Sequence, residues 1–163
     1  MAHTQESILS ILAEIFDPEI PVLSIVDLGI IHAVDLENNH VHVIITPTFV
    51  ACPAIDAIKN DIVTKLKLHG FEHITVEVDV NIAWSTDRIT ERGKLALKNF
   101  GISPPVTQNI ISESDLLHML QRVQCPQCNG TNTEIQSPFG TTLCRTIHYC
   151  HTCLQSFEHM KHI

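Results

Sequence analysis

The sequence predicts an α/β chain, built as a small α/β sandwich followed by a C-terminal zinc-ribbon β-hairpin module. Three observations carry that expectation. Along the first hundred residues, stretches with apolar residues at helical spacing are interleaved with short β-rich runs in the order helix, strand, strand, helix, strand. A helix between the second and third strands implies a right-handed crossover that lays those two strands parallel. In the tail, Cys125-Pro-Gln-Cys128 is answered by Cys150-His-Thr-Cys153 after 21 residues. That is long enough for a hairpin to return the second Cys-x-x-Cys turn to the first and close a four-thiolate cage around one structural Zn²⁺. A rubredoxin-like iron site would use the same four ligands, and structural zinc is the commoner occupant of an accessory ribbon.

Each element has its own signal. Thr4 to Phe16 places Ile8, Ile11, Leu12 and Ile15 on one helical face, with Thr4 as the N-cap, and Asp17-Pro18 stops it. The following Pro18-Glu-Ile-Pro21 and the aperiodic apolar run to Gly29 read as a loop held by its own side chains. Ile30 to Leu36 and Val41 to Thr46 flank Glu37-Asn-Asn-His40 and read as a hairpin. A second helix starts near Pro53, buries Ile55, Ile58, Ile62 and Leu66, and ends at Gly70. His73 to Val80 alternates as a strand covered on one face. Thr86 to Asn99 is expected to be helical. Ser103-Pro-Pro105 marks a boundary, so the expected division is a first domain over 1–102, a linker over 103–121 with a short helical piece at Leu116 to Leu120, and the ribbon over 122–163.

Charge and cysteine usage narrow the function classes. Of the formal charge of −8, residues 1–121 hold 7 Lys+Arg against 16 Asp+Glu and residues 122–163 hold 3 against 2. Nucleic-acid binding requires Lys and Arg to replace counterions on phosphates, so a protein partner is expected and a nucleic acid is not. The start of the chain lacks the basic and apolar regions of a secretory signal, and no apolar run reaches the ~18 residues of a membrane span. A reducing cytoplasmic setting without membrane contact is the expectation, and its thiols read as metal ligands or reactive groups.

Outside the tail, Cys52 is the residue of most chemical interest. At a helix start its thiolate would be favoured by free N–H groups and the helix dipole, making it a reactive thiol or a soft-metal ligand. A small apolar filler is the equal alternative. As a nucleophile it would need a base, for which His32 and His42 are the candidates. Trp84 reads as core packing or as a neighbour of Cys52. Cys144 reads as a spare cysteine beside a closed four-ligand site, and His148, His151, His159 and His162 read as surface.

These residues bring a family into view. Asp17-Pro-Glu-Ile-Pro-Val-Leu-Ser-Ile-Val-Asp-Leu-Gly29, Thr46-Pro-Thr48, Cys52-Pro-Ala54 and Trp84-Ser-Thr-Asp87 resemble the iron–sulfur assembly domain of SufT-like proteins. With Gly101-Ile-Ser-Pro-Pro105, Phe139-Gly-Thr-Thr-Leu-Cys144 and the second knuckle, the whole chain is similar to the PaaD family, a component of bacterial phenylacetyl-CoA epoxidase systems. The resemblance implies a SufT-like sandwich and a non-catalytic accessory in phenylacetate degradation. Its partners would be a di-iron oxygenase, a reductase or both, its cargo a transient Fe or Fe–S centre held at Cys52, and a homodimer is compatible with it. A CoA-thioester enzyme acting through Cys52 and a purely structural oxygenase subunit are the rival readings. Where the family has Trp-Thr-Thr-Asp-Trp-Ile, this chain has Trp84-Ser-Thr-Asp-Arg-Ile89. The family's penultimate cysteine is His162 here, an exchange of soft ligands that leaves open a second site with Cys144.

Overall fold

The computed structural model describes residues 4–49, 52–105 and 123–162. The expected linker helix at Leu116 to Leu120 lies outside them. The chain divides into two compact units, Met1–Gly93 and Lys94–Ile163.

The first unit opens with α1 (Gln5–Leu12), closed at its N-terminus by a reciprocal cap in which Thr4 and Ser7 each accept the other's backbone N–H. Ile8 and Leu12 are buried, and Ile15 follows them into the core although the helix has ended. The hairpin forms as expected from β1 (Ile31–Glu37) and β2 (His40–Ile45). Asn38 and Asn39 turn it with φ of 47° and 64°, which asparagine tolerates better than most residues. Helix α2 (Ala54–Leu68) buries Ala54, Ile58, Ile62 and Leu66, and β3 (His73–Val78) returns parallel to β2, giving the order β1-β2-β3. Val41, Val43 and Ile45 are buried on the sheet's inner face while its other face stays open.

The expected helix from Thr86 is interrupted. A single 3-10 turn, η1 (Thr86–Arg88), is followed by an extended Ile89 and then by α3 (Glu91–Phe100). The break has a tertiary cause. The N–H of Thr90 donates to the Asp27 carbonyl, and the Thr90 hydroxyl donates to the Asp27 carboxylate while accepting the N–H of Gly93. Thr90 thus acts as an N-cap fixed from 63 residues away.

In the second unit, β4 (Ile102–Ser103), β5 (Thr133–Ser137), β6 (Arg145–Cys150) and β7 (Gln155–Met160) form a sheet in the order β4-β7-β6-β5. Ile102 and Ser103, expected at the junction of domain and linker, pair with Glu158 and His159 as a parallel edge strand. Val123, Cys125, Cys150 and Phe157 make the small core of this unit beside the two Cys-x-x-Cys turns. Two tail histidines differ from expectation: His148 is fully buried and His159 nearly so, because alternation along β6 and β7 turns them inward. Burial pushes both imidazoles down to about 4. Among the described residues no helix is long and apolar enough to cross a membrane.

Candidate metal centre and thiol site

The sulfurs of Cys125, Cys128, Cys150 and Cys153 all lie within 4.8 Å of one another. Cys125 and Cys153 are 3.7 Å apart and Cys128 and Cys150 are 3.5 Å apart. Four thiolates about 2.3 Å from one ion stand ~3.8 Å from each other, so the donor set fits tetrahedral zinc. The two knuckles are local copies. Asn129 N–H donates to the Cys125 carbonyl and Leu154 N–H to the Cys150 carbonyl, and these donors have φ of 60° and 61°. The hairpin supplies the closure expected from the spacing, since Thr133 pairs with Cys150 and its hydroxyl donates to the Val123 carbonyl beside the first knuckle.

Electrostatics in the cage are uneven. The Cys153 N–H aimed at its sulfur pushes Cys150 down to about 6, whereas burial pushes Cys153 up to about 12. Four thiols around one point cannot all ionise without a cation, so ion and folded cage stabilise each other. Cys144 stands outside the group, buried, with its sulfur 3.0 Å from the Thr142 hydroxyl. Among the described residues, the four knuckle cysteines are the group of three or more potential ligands gathered around one point, and neither Cys144 nor His162 belongs to it.

Cys52 sits just before α2, whose N-cap is Pro53 rather than Cys52. It is partly exposed, so the thiol is neither sealed in the core nor free in water. The expected depression of its pKa is reversed. Burial pushes the thiol up, and the nearby carboxylates of Glu19 and Asp17 add to this, outweighing the hydrogen bonds from the Ala54 N–H and the Thr48 hydroxyl. Two segments distant in sequence therefore meet at this sulfur, one carrying Asp17 and Glu19 and the other Thr48 and Ala54. Asp17 is itself buried, its Oδ1 accepting the N–H groups of Glu19 and Ile20 at 2.7 and 2.9 Å. Two residues before Thr48, the Thr46 hydroxyl is fully buried without a partner among the described residues.

A frame of long-range bonds holds the 17–29 loop beside this thiol. Trp84 is buried and donates its indole N–H to the Leu28 carbonyl at 3.1 Å, a clamp on the loop. Asp27 binds Ser24, Thr90 and Arg92. Gly29 has φ +74°, and a Cβ there would lie 2.5 Å from the Arg88 carbonyl oxygen. Sequence reading missed Thr90 and Arg92; the only signal was a hydroxyl and a guanidinium in an otherwise irregular helical stretch. The two candidate bases lie elsewhere: His32 meets Arg88, and His42 meets Glu77.

Comparison with known proteins matches both halves. A family model described as "Iron-sulfur cluster assembly protein" covers residues 5–78, and one described as "PaaD zinc beta ribbon domain" covers residues 112–161. A protein of Escherichia coli (strain K12), named as a subunit of 1,2-phenylacetyl-CoA epoxidase, is 34% identical over 154 residues, spanning 94% of this chain and 90% of that one. The chain belongs to the PaaD family. A second relative of this PaaD-family chain is an Fe-S protein maturation auxiliary factor of Porphyromonas gingivalis (strain ATCC BAA-308 / W83), 34% identical over 97 residues and covering 58% of this chain and 91% of the relative. Among solved structures, a DUF59 domain of unknown function from Bacillus anthracis superposes with a TM-score of 0.53 at 30% identity, covering 57% of this chain and 90% of that one. The PaaD-family architecture is thus an iron–sulfur assembly-type α/β fold joined to a zinc ribbon.

Proposed function

We propose that this protein is an accessory assembly component of a phenylacetyl-CoA epoxidase system, in which Cys52 transiently holds iron or an Fe–S cluster on its way to the complex. The observation that carries this reading is the setting of Cys52. It is the only cysteine in residues 1–124, it is open to solvent on one side, and it is backed by the Thr48 hydroxyl and the carboxylates of Glu19 and Asp17. One thiolate cannot hold a cluster that takes four cysteine ligands, so the cargo would be shared with a partner or a second copy of the chain. Shared ligation is what a transfer site needs, because either side can let go.

The division of labour follows from the chemistry of the two sites. Residues 1–102 would carry the cargo thiol, 103–121 would link, and 122–163 would dock on the di-iron oxygenase or the reductase. Zinc held by Cys125, Cys128, Cys150 and Cys153 would supply the folding energy that so small a core lacks. A soft-metal role suits Cys52 better than a nucleophilic one. No histidine is among the groups that act on it, and a nucleophile needs a base within reach, whereas a metal ion itself displaces the thiol proton.

The decisive experiment replaces the chromosomal gene by a Cys52→Ser version and measures phenylacetate-dependent growth together with iron in the purified epoxidase complex. Loss of iron from the complex with normal levels of its subunits is the expected result. Full iron content and growth would overturn the reading and leave a scaffold.

A further inference from the structure

The open face of the first sheet has a chemistry that the thiol site does not use. Strand alternation brings Asp35 and Glu37 of β1, His40 and His42 of β2, and Thr75 and Glu77 of β3 to that face, while Val41, Val43 and Ile45 point to the core. Asp35, Glu37, His40, His42 and Thr75 line a groove of about 370 Å³. Asp35 is paired directly across from His42, and Glu37 across from His40. On the other side, His42 Nε2 lies 3.2 Å from Glu77 Oε2 and His40 Nε2 lies 2.8 Å from the Thr75 hydroxyl.

We propose that this groove, with Glu77 at its margin beside His42, is a binding site for one divalent first-row transition ion, taken by His42 and Glu77 and completed by His40 and Asp35. Two ligand atoms bonded to one ion at about 2.0–2.1 Å stand roughly 3.0–3.4 Å apart, the spacing that His42 and Glu77 already have. His40 and His42 are two residues apart on one strand, so both imidazoles rise from the same face, and on an exposed surface each needs only a side-chain rotation to reach a common point. Neutral imidazole nitrogens with carboxylate oxygens form a borderline set that selects Zn²⁺, Ni²⁺ or Fe²⁺ over Mg²⁺ and Ca²⁺. The net acidity of residues 1–121 adds a general attraction for cations. The site is separate from Cys52: His42 is four residues, or about 13 Å of strand, before Thr46, where β2 leads toward the thiol.

The test uses the full chain with its ribbon saturated with zinc, and Ni²⁺ as the probe. Calorimetry should show one further site per chain, and paramagnetic Ni²⁺ should broaden the amide signals of His40, His42, Thr75 and Glu77. His42→Gln should weaken Ni²⁺ binding about a hundredfold, because the remaining ligands lose a partner tethered at high effective concentration. Glu77→Gln should weaken it about tenfold on the same reasoning. Both substitutions are on the open face, and unchanged signals from the buried Val43 and Ile45 would show that the fold is intact. Broadening confined to the tail around His151 and His162, or wild-type affinity in folded His42→Gln, would overturn the proposal.

Discussion

Arg92 closes its guanidinium on both carboxylate oxygens of Asp27, with Nε at 3.1 and 3.0 Å and Nη2 at 2.9 Å. The carboxylate is nearly buried, whereas the arginine is largely in solvent. Burial alone would raise the Asp27 pKa, but hydrogen bonds from Arg92, Thr90 and Ser24 bring it below the ordinary aspartate value. The pair fastens the start of α3 to the 17–29 loop. Arg92→Ala should therefore be the milder change, since water can replace an exposed donor, and Asp27→Ala should cost about 2–3 kcal/mol, since it takes the shared acceptor from the buried Ser24 hydroxyl as well as from Thr90 and Arg92. Because the folded-state pKa is depressed, the Asp27 contribution is present above the unfolded value and lost as pH falls through the folded one. Urea unfolding of both variants at about pH 7 and pH 3.5 should show the Asp27→Ala penalty shrinking at the lower pH.

Gly29→Ala should be among the most damaging single substitutions in the first unit. Alanine resists a φ of +74°, and its Cβ would meet the Arg88 carbonyl oxygen at 2.5 Å and the Arg88 Cβ at 2.6 Å. Neither contact is with a flexible side-chain end, so the loop or η1 has to shift. A loss of at least about 2 kcal/mol is expected, read from the thermal midpoint. Gly70→Ala gives the control: its φ is +89° but a Cβ meets nothing within 4 Å, so only the backbone term is lost.

Zinc removal should divide the molecule. In the core of Val123, Cys125, Cys150 and Phe157, two of the four members belong to the four-cysteine group that could hold a metal ion. A chelator should abolish amide protection across β5 to β7 and leave β1 to β3 protected, as hydrogen exchange would show. Cys150→Ser should do the same without a chelator. Retained protection in β6 would mean that the ribbon does not depend on its ion.

His159 adds an acid sensitivity that does not depend on the thiols. Burial, with the nearby His148 and His162, holds its pKa at about 4 despite the hydrogen bond to the Ser103 carbonyl, whereas an unfolded histidine titrates near 6.5. Its folded pKa is depressed, so unfolded chain takes up the proton first. Stability should fall as pH drops from about 6.5 towards 4, by on the order of 3 kcal/mol in total. Zinc-loaded His159→Phe should show a shallower decline between about pH 7 and 5 in denaturant titrations.

What was legible in the sequence is what short-range chemistry decides. Asn38-Asn39 specify the hairpin turn, the spacing of Ile58, Ile62 and Leu66 specifies α2 and its buried face, and the two Cys-x-x-Cys turns specify the cage. What was not legible depends on partners far along the chain. The helix expected from Thr86 breaks at Thr90 because Asp27 needs its hydroxyl and amide. His148 and His159 are inward-facing because the small ribbon sheet has little else to bury, and a histidine in a strand carries no mark of which face it takes. At Cys52 the local cue, a helix start, pointed to a low pKa. The tertiary surroundings, including two carboxylates from a loop over thirty residues earlier, reverse it.

That reversal gives the sharpest test of the thiol site. Alkylation requires the thiolate, so with Cys52 pushed up by burial and by Glu19 and Asp17, its pH–rate profile with iodoacetamide should lie above that of an unhindered cysteine. Zinc-loaded protein confines the measurement to Cys52 and the buried Cys144, and mass spectrometry separates the two. Glu19→Gln removes one neighbouring charge and should move the profile down, whereas Thr48→Val removes a hydrogen bond that favours the thiolate and should move it up. Opposite displacements from two variants on different loops could not come from a general loosening of the fold, which would expose the sulfur and lower its pKa in both. Metal binding displaces the same proton, so Fe²⁺ loading of Cys52 should weaken as pH falls, and Glu19→Gln should extend loading to lower pH. A Cys52 profile below the ordinary thiol value would show that burial and the carboxylates do not set its pKa and would restore the nucleophile reading.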